Sequence, residues 1–137
     1  MLEVRREETL GTDAQTVWSL VSDFGNIADW HPACSASSQD TVGGEVRRTI
    51  VVGDGARLIE KLDSIDHNAK SFSYSIIEGP LPVENYSSTV TVADADGGSR
   101  ITWSGSFDAK DAPDERAKHV VAGIYEAGIG ALKKRFG

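Results

Sequence analysis

Hydrophobic and polar positions along this chain change period three times, and each change marks a new kind of element. Leu2 to Leu10 reads as a first strand, strongly charged on one side and ended by Gly11. Val17, Trp18, Leu20, Val21 and Phe24 then recur at helical spacing, which predicts a short amphipathic helix over residues 13–23. Thr12 is expected to cap it, with Gln15 three residues on at the capping-box spacing, and Gly25 can close it. A second short helix is expected over Asn26 to Trp30, stopped before Pro32.

From about Ser35 the period falls to two. Strands are predicted over Ala36–Val42, Glu45–Val52, Ala56–Asp66, Lys70–Ile77, Asn85–Ala93 and Ser99–Asp108, separated by turn signals such as Gly43-Gly44, Gly53-Asp54-Gly55 and Asp96-Gly97-Gly98. Phe72, Tyr74 and Ile76 oppose Ser71, Ser73 and Ser75; Ile101, Trp103 and Phe107 oppose Arg100, Thr102, Ser104 and Ser106. Such alternation belongs to an antiparallel sheet with one face covered and one in water. After Pro113 the period lengthens again. Ala117, Val120, Val121, Ile124, Tyr125, Gly128, Leu132 and Phe136 form one broad stripe, and Lys133, Lys134 and Arg135 occupy the last turn, where cations favour the helix dipole.

The order predicts an α+β fold: about seven antiparallel strands curved around one long C-terminal helix, with two short helices after the first strand. One domain over residues 1–137 is expected. The many small residues on the long helix (Ala117, Ala122, Gly123, Ala127, Gly128, Gly130, Ala131) are expected to leave space under the sheet. A cavity and a core filled by Trp and Phe are both open at this point.

Charge and cysteine content narrow the function. Fourteen Lys and Arg against 21 Asp and Glu give a net charge of −7, which repels phosphate backbones and anionic lipid, so neither nucleic acid nor a membrane is an expected partner. The single cysteine, Cys34, allows no internal disulfide or cysteine metal cluster. Residues 1–8 are charged where a signal peptide needs an apolar core, and no apolar run approaches the ~20 residues of a membrane span. A cytoplasmic location is expected. His31, His67 and His119 lie far apart, and no phosphate-binding, dinucleotide-binding or nucleophile-elbow motif is present, so neither metal nor cofactor is expected.

Glu60 is the most informative single residue. It alternates with Leu58 and Leu62, so an inward leucine face would put a carboxylate in an apolar cavity. Burial there demands a partner and raises the pKa, which suits a proton-transfer group; at a strand end or the cavity mouth it would simply be solvated. Arg47 and Arg48 point to opposite faces of the preceding strand. Parity with Val46, Ile50 and Val52 favours Arg48 as the partner. Tyr86 opens a later strand, where its ring can pack while its hydroxyl reaches a ligand. The expected ligand-binding lining adds Leu58, Leu62, Tyr74 and Trp103 from the sheet, Trp30, His31, Leu81 and Val83 from loops, and Val121 and Tyr125 from the helix.

These residues also carry a resemblance. The stretch Val17-Trp18-Ser19-Leu20-Val21-Ser22-Asp23-Phe24 with Ile27 and Trp30-His31-Pro32 resembles the opening of the polyketide cyclase/dehydrase family, of the helix-grip superfamily that includes lipid-transfer domains. So do Val42-Gly43-Gly44-Glu45-Val46-Arg47, Glu60-Lys61-Leu62 and Leu81-Pro82-Val83-Glu84-Asn85-Tyr86. Within that superfamily the chain is similar to lachrymatory factor synthases, and the similarity implies proton transfer by Glu60 with Arg47 and Tyr86 in support. It is also similar to the plant abscisic acid receptors, which implies ligand binding without chemistry at Glu60 and Asn85-Tyr86. The resemblance thus favours Arg47 where parity favours Arg48. Three functions follow as expectations: uptake of a small hydrophobic or amphipathic molecule for carriage or sensing; a cyclase, dehydratase or isomerase using Glu60, Arg47 and Tyr86; and an interaction protein with a filled core and no pocket.

Overall fold

The computed structural model describes all 137 residues. Strand β1 (Leu2–Leu10) leads into helix α1 (Ala14–Val21) and a short 3-10 segment (Phe24–Asp29). Strands β2 (Cys34–Val42), β3 (Glu45–Val52), β4 (Ala56–Asp66), β5 (Ser71–Glu78), β6 (Val83–Ala95) and β7 (Gly98–Ala109) follow, and helix α2 (Asp114–Phe136) closes the chain. The sheet order is β1-β7-β6-β5-β4-β3-β2, antiparallel throughout. Consecutive strands pair through short turns; only β1 is displaced, to the far edge beside β7. The α1 and 3-10 segments carry the chain from that edge to β2. Seven strands and a long C-terminal helix agree with the pattern read from the sequence.

Local chemistry corrects some boundaries. The cap of α1 is Asp13, not Thr12: its carboxylate accepts from the Thr16 amide at 3.4 Å and from the Thr16 hydroxyl at 2.5 Å. An ionised acceptor at the first-turn amides outcompetes a neutral hydroxyl one position earlier. The second short helix begins at Phe24 rather than Asn26 and kinks at Asn26, where the backbone leaves helical angles. Strand β6 begins at Val83, two residues before the expected start.

Period-two burial is plain along the sheet. Phe72 and Tyr74, then Tyr86, Ser88, Val90 and Val92, then Ile101, Trp103 and Phe107 are buried on the inner face. The outer face carries hydroxyl pairs, Ser71 with Thr91 at 3.0 Å and Ser73 with Thr89 at 2.8 Å. Helix α2 spans 23 residues, ~34 Å at 1.5 Å per residue. It packs chiefly on β1 and β7, whereas β2 and β3 are covered by the 3-10 segment. The inner face of β3 and β4 thus lies between two covers that touch only locally, where His31 Nε2 bonds the Ile124 carbonyl at 2.8 Å and Arg135 Nη1 the Asp29 carbonyl at 3.5 Å. No helix is long and apolar enough to cross a membrane.

Candidate ligand cavity

Between α2 and the β3–β4 half of the sheet lies a cavity of about 200 Å³. Ile50, Val52 and Leu58 form its floor, Ile27, Ala33 and Cys34 one wall, Val120 and Ile124 of α2 its roof, and Tyr74, Tyr86, Trp103 and Leu81 the far side. Twelve of its 16 lining residues are hydrophobic, so what lies inside contacts apolar surface nearly everywhere. The polar exceptions concentrate at Arg48, Glu60 and His31.

Arg48 and Glu60 form one buried pair. They stand directly opposite each other in the β3–β4 register and are 2 % and 4 % exposed. Arg48 Nε donates to Glu60 Oε1 at 2.7 Å, and Nη2 lies 2.7 Å from the same oxygen. Nη1 donates to the Phe24 carbonyl at 3.1 Å. The guanidinium sits 4.0 Å from the Phe24 ring centre and 4.9 Å from that of Tyr74, a cation–π arrangement that replaces lost hydration. Burial pushes the Glu60 pKa above its ordinary value, and the Arg48 charge and hydrogen bond pull against it. Desolvation is the stronger influence here.

The expectation that Arg47 serves the site is corrected. Arg47 lies opposite Lys61 on the outer face, and Nη2 bonds Glu45 Oε1 at 2.8 Å with its side chain 31 % exposed. Strand parity decides this, because adjacent residues of a strand point to opposite faces.

Beside the ion pair runs a chain of hydroxyls. Ser88 donates to the Ser104 carbonyl at 2.8 Å, which uses its only proton. Tyr125 therefore donates to Ser88 at 3.0 Å, Tyr86 to Tyr125 at 2.5 Å, and Tyr74 to Tyr86 across a long 3.4 Å. The Trp103 indole N–H is shared between Tyr74 and Ser88 at 3.1 and 3.0 Å. Burial, reinforced by Glu60, pushes the Tyr74 pKa up to about 12, and those of Tyr86 and Tyr125 are also raised, chiefly by burial. Only the Tyr74 proton is loosely held, so it is the one free to turn to a guest.

His31 is buried but chemically spent. Its Nδ1 accepts from the Ala33 amide at 3.1 Å, which leaves the proton on Nε2 to bond the Ile124 carbonyl at 2.8 Å. Burial holds its pKa below the usual value and Arg48 pushes the same way, against that carbonyl. Cys34 lines the wall as a thiol, its pKa pushed up to about 11 by burial.

A family model described as "Polyketide cyclase / dehydrase and lipid transport" matches residues 1–137. The chain belongs to that family. Among solved structures, this polyketide cyclase/dehydrase family member is similar to the protein XoxI from Bacillus cereus, at 30% identity and a TM-score of 0.92 over 99% of this chain and 96% of that one. The Zhui aromatase/cyclase from Streptomyces sp. R1128 matches at 17% identity and a TM-score of 0.77, over 98% and 92%, a likeness of fold alone. In sequence, "MLP-like protein 423" of Arabidopsis thaliana is 38% identical over 80 residues, 54% of this chain. That match spans about half the length of the Arabidopsis protein, 51%.

Of the sequence-derived candidates in this family member, Glu60, Arg48, Tyr86, Tyr74, Trp103, Leu58, Leu81 and His31 meet at the cavity. Five expected lining residues do not. Leu62 is only half-buried, two positions beyond Glu60, where the β4–β5 register slips. Val83 lines an adjoining groove of about 620 Å³ at the β5–β6 loop, which shares Leu81 and Tyr86 with the cavity. Trp30 packs behind His31 and Trp103, Val121 faces the solid core, and Tyr125 stacks on Trp103. Sequence reasoning missed Ile50, Val52, Val120 and Ile124 as wall residues. The parity that placed Arg48 inward also placed Ile50 and Val52 there.

Proposed function

We propose that this protein takes up a small, largely apolar molecule in the cavity between α2 and β3–β4, for carriage or sensing. The observation that carries the reading is a cavity of about 200 Å³ with mostly hydrophobic walls and one localised polar corner, the pattern of a small-molecule site. Its size limits the guest. An apolar cavity of ~150 Å³ accommodates benzene, so this one suits one substituted ring or a short branched chain rather than a full lipid tail. Native mass spectrometry of the purified protein, with released molecules identified after denaturation, tests this directly. A discrete small molecule is the expected result. No bound molecule and no uptake of an apolar fluorescent probe would return the protein to the filled-core reading.

A second reading, proton transfer to or from a bound molecule, is favoured by the raised pKa of Glu60 in the cavity wall. Glu60 would exchange the proton, and Arg48, not Arg47, would hold the carboxylate in place. Tyr74 would donate to developing negative charge, since the Tyr86 proton is committed to Tyr125. This reading requires a guest with an exchangeable proton and predicts that Glu60→Gln stops turnover while leaving uptake of an apolar probe measurable.

A further inference from the structure

The polar corner of the cavity is one-sided, and that selects the chemistry of the guest. Both Arg48 contacts fall on Glu60 Oε1. No protein donor reaches Oε2. The buried side-chain polar atoms that lack both a partner and accessible surface are Trp30 Nε1 and Ser99 Oγ; Oε2 is not among them, so it keeps accessible surface, and Glu60 is part of the cavity wall. An ionised carboxylate oxygen on a side chain 6 % exposed therefore offers lone pairs into an otherwise apolar space.

Every other polar side chain on the wall is engaged or weak except the Tyr74 hydroxyl, whose proton spans a long 3.4 Å to Tyr86 and can turn to a guest but carries no charge to balance an anion. Arg48 is bonded to Glu60 and Phe24 and faced by two rings. Both His31 nitrogens are used. The Cys34 thiol is a poor donor. The Arg48–Glu60 pair has no net charge, so an anion would bring an uncompensated charge into the cavity and meet Oε2 lone pairs. An ammonium would leave a net positive charge. A neutral donor does neither: it satisfies Oε2 with a charge-assisted hydrogen bond and leaves the pair intact.

We infer that the cavity selects a compact neutral molecule, one substituted ring in size, whose hydroxyl or N–H donates to Glu60 Oε2, and that it rejects carboxylates of the same size. This rests on the cavity being a binding site, and the test separates the two claims. Three probes of matched shape are titrated into the full-length protein by calorimetry at fixed pH: 4-methylphenol, 1,4-dimethylbenzene and 4-methylbenzoate. A hydrogen bond to a charged acceptor corresponds to about tenfold or more in affinity, so 4-methylphenol should bind at least about tenfold tighter than 1,4-dimethylbenzene, with 4-methylbenzoate weakest. In Glu60→Gln the ratio between the phenol and the hydrocarbon should fall toward one; should that variant not fold, the wild-type ratio decides alone. Equal binding of phenol and hydrocarbon overturns the donor requirement and leaves the cavity standing. Tightest binding by the benzoate also overturns it and makes Arg48 the anchor. Binding by none of the three overturns the cavity as a site, and this inference with it.

Discussion

The two halves of the sheet meet the long helix in opposite ways. Along β1 and β7 the layers touch. Trp103 stacks on Tyr125 with ring centres 4.7 Å apart and planes 17° from parallel. Two glycines permit that approach: a side chain at Gly105 would land on the Tyr125 hydroxyl, and one at Gly128 on the His31 and Trp103 rings. Across β3 and β4 no such closure occurs. The helix presents Val120 and Ile124 there, and the sheet answers with Ile50, Leu58 and a buried ion pair. One half holds the fold by close contact. The other keeps a space and places its single charged pair at the edge of it.

Breaking the pair should have the largest effect. Arg48→Met leaves Glu60 buried without its counter-charge, a change that costs ~3–5 kcal/mol in comparable sites. Urea denaturation at neutral pH should show a loss of that size. The double change Arg48→Met with Glu60→Leu should recover most of it, because two apolar side chains of similar volume remove the charges together. If the double variant is as unstable as the sum of the singles, the pair is not energetically coupled, and the contrast between the two halves is wrong at its charged end.

The closed half is tested next by Gly128→Ala. The new methyl would lie 2.7 Å from His31 Cδ2 and 2.8 Å from a Trp103 ring carbon, and both rings are fixed by their own hydrogen bonds. Overpacking of this kind costs ~1–3 kcal/mol. Thermal unfolding should report that loss, with the Tyr125–Trp103 stack disturbed in the near-ultraviolet circular dichroism. A variant as stable as wild type would mean the layers yield more easily than their contacts suggest.

The strands, their faces and both ends of the long helix were readable from the chain because period-two and period-3.6 burial are local properties. Glu60, Leu58, Tyr74 and Trp103 followed from the same alternation, and parity alone pointed to Arg48. What was not readable depends on how elements meet. The small residues of α2 were expected to leave the space, yet Gly123 and Gly130 are exposed, with nothing near them, while Gly128 tightens the packing. The cavity exists because α2 and the 3-10 segment cover different strands, which no single stretch of sequence encodes. Resemblance misled at Arg47 for a related reason: a one-residue offset in a motif reverses the face.

Titration sharpens the comparison further, because the open half contains a carboxylate whose pKa is raised. Glu60 binds its proton more tightly in the folded chain than at its ordinary value of 4.5. Its contribution to stability therefore falls as pH rises from about 4.5 through the folded value, by at most ~1.4 kcal/mol per pH unit for one proton. His31, with its pKa below 6.5, has the opposite slope: its contribution is lost as pH falls below 6.5. Urea midpoints for wild type and Glu60→Gln across pH 4.5–7.5 separate the two. Glu60→Gln should gain relative to wild type as pH rises, while the His31 slope remains in both. A relative loss instead would mean that Arg48 outweighs desolvation and holds Glu60 below its ordinary value.

The smallest expected effect is also the sharpest control on the closed half. Gly123 lies five residues before Gly128 on the same helix but faces solvent, and a methyl group there meets nothing within 4 Å. Alanine loses less backbone freedom on folding than glycine, so Gly123→Ala should stabilise the protein by ~0.5–1 kcal/mol. Set beside Gly128→Ala, the same substitution in the same helix should change sign with the face it occupies. Helix propensity is common to both positions, so the difference between the two variants isolates the contact of α2 with His31 and Trp103. If both variants stabilise the protein, that contact is loose, and the close approach of helix and sheet over β7 does not hold the fold.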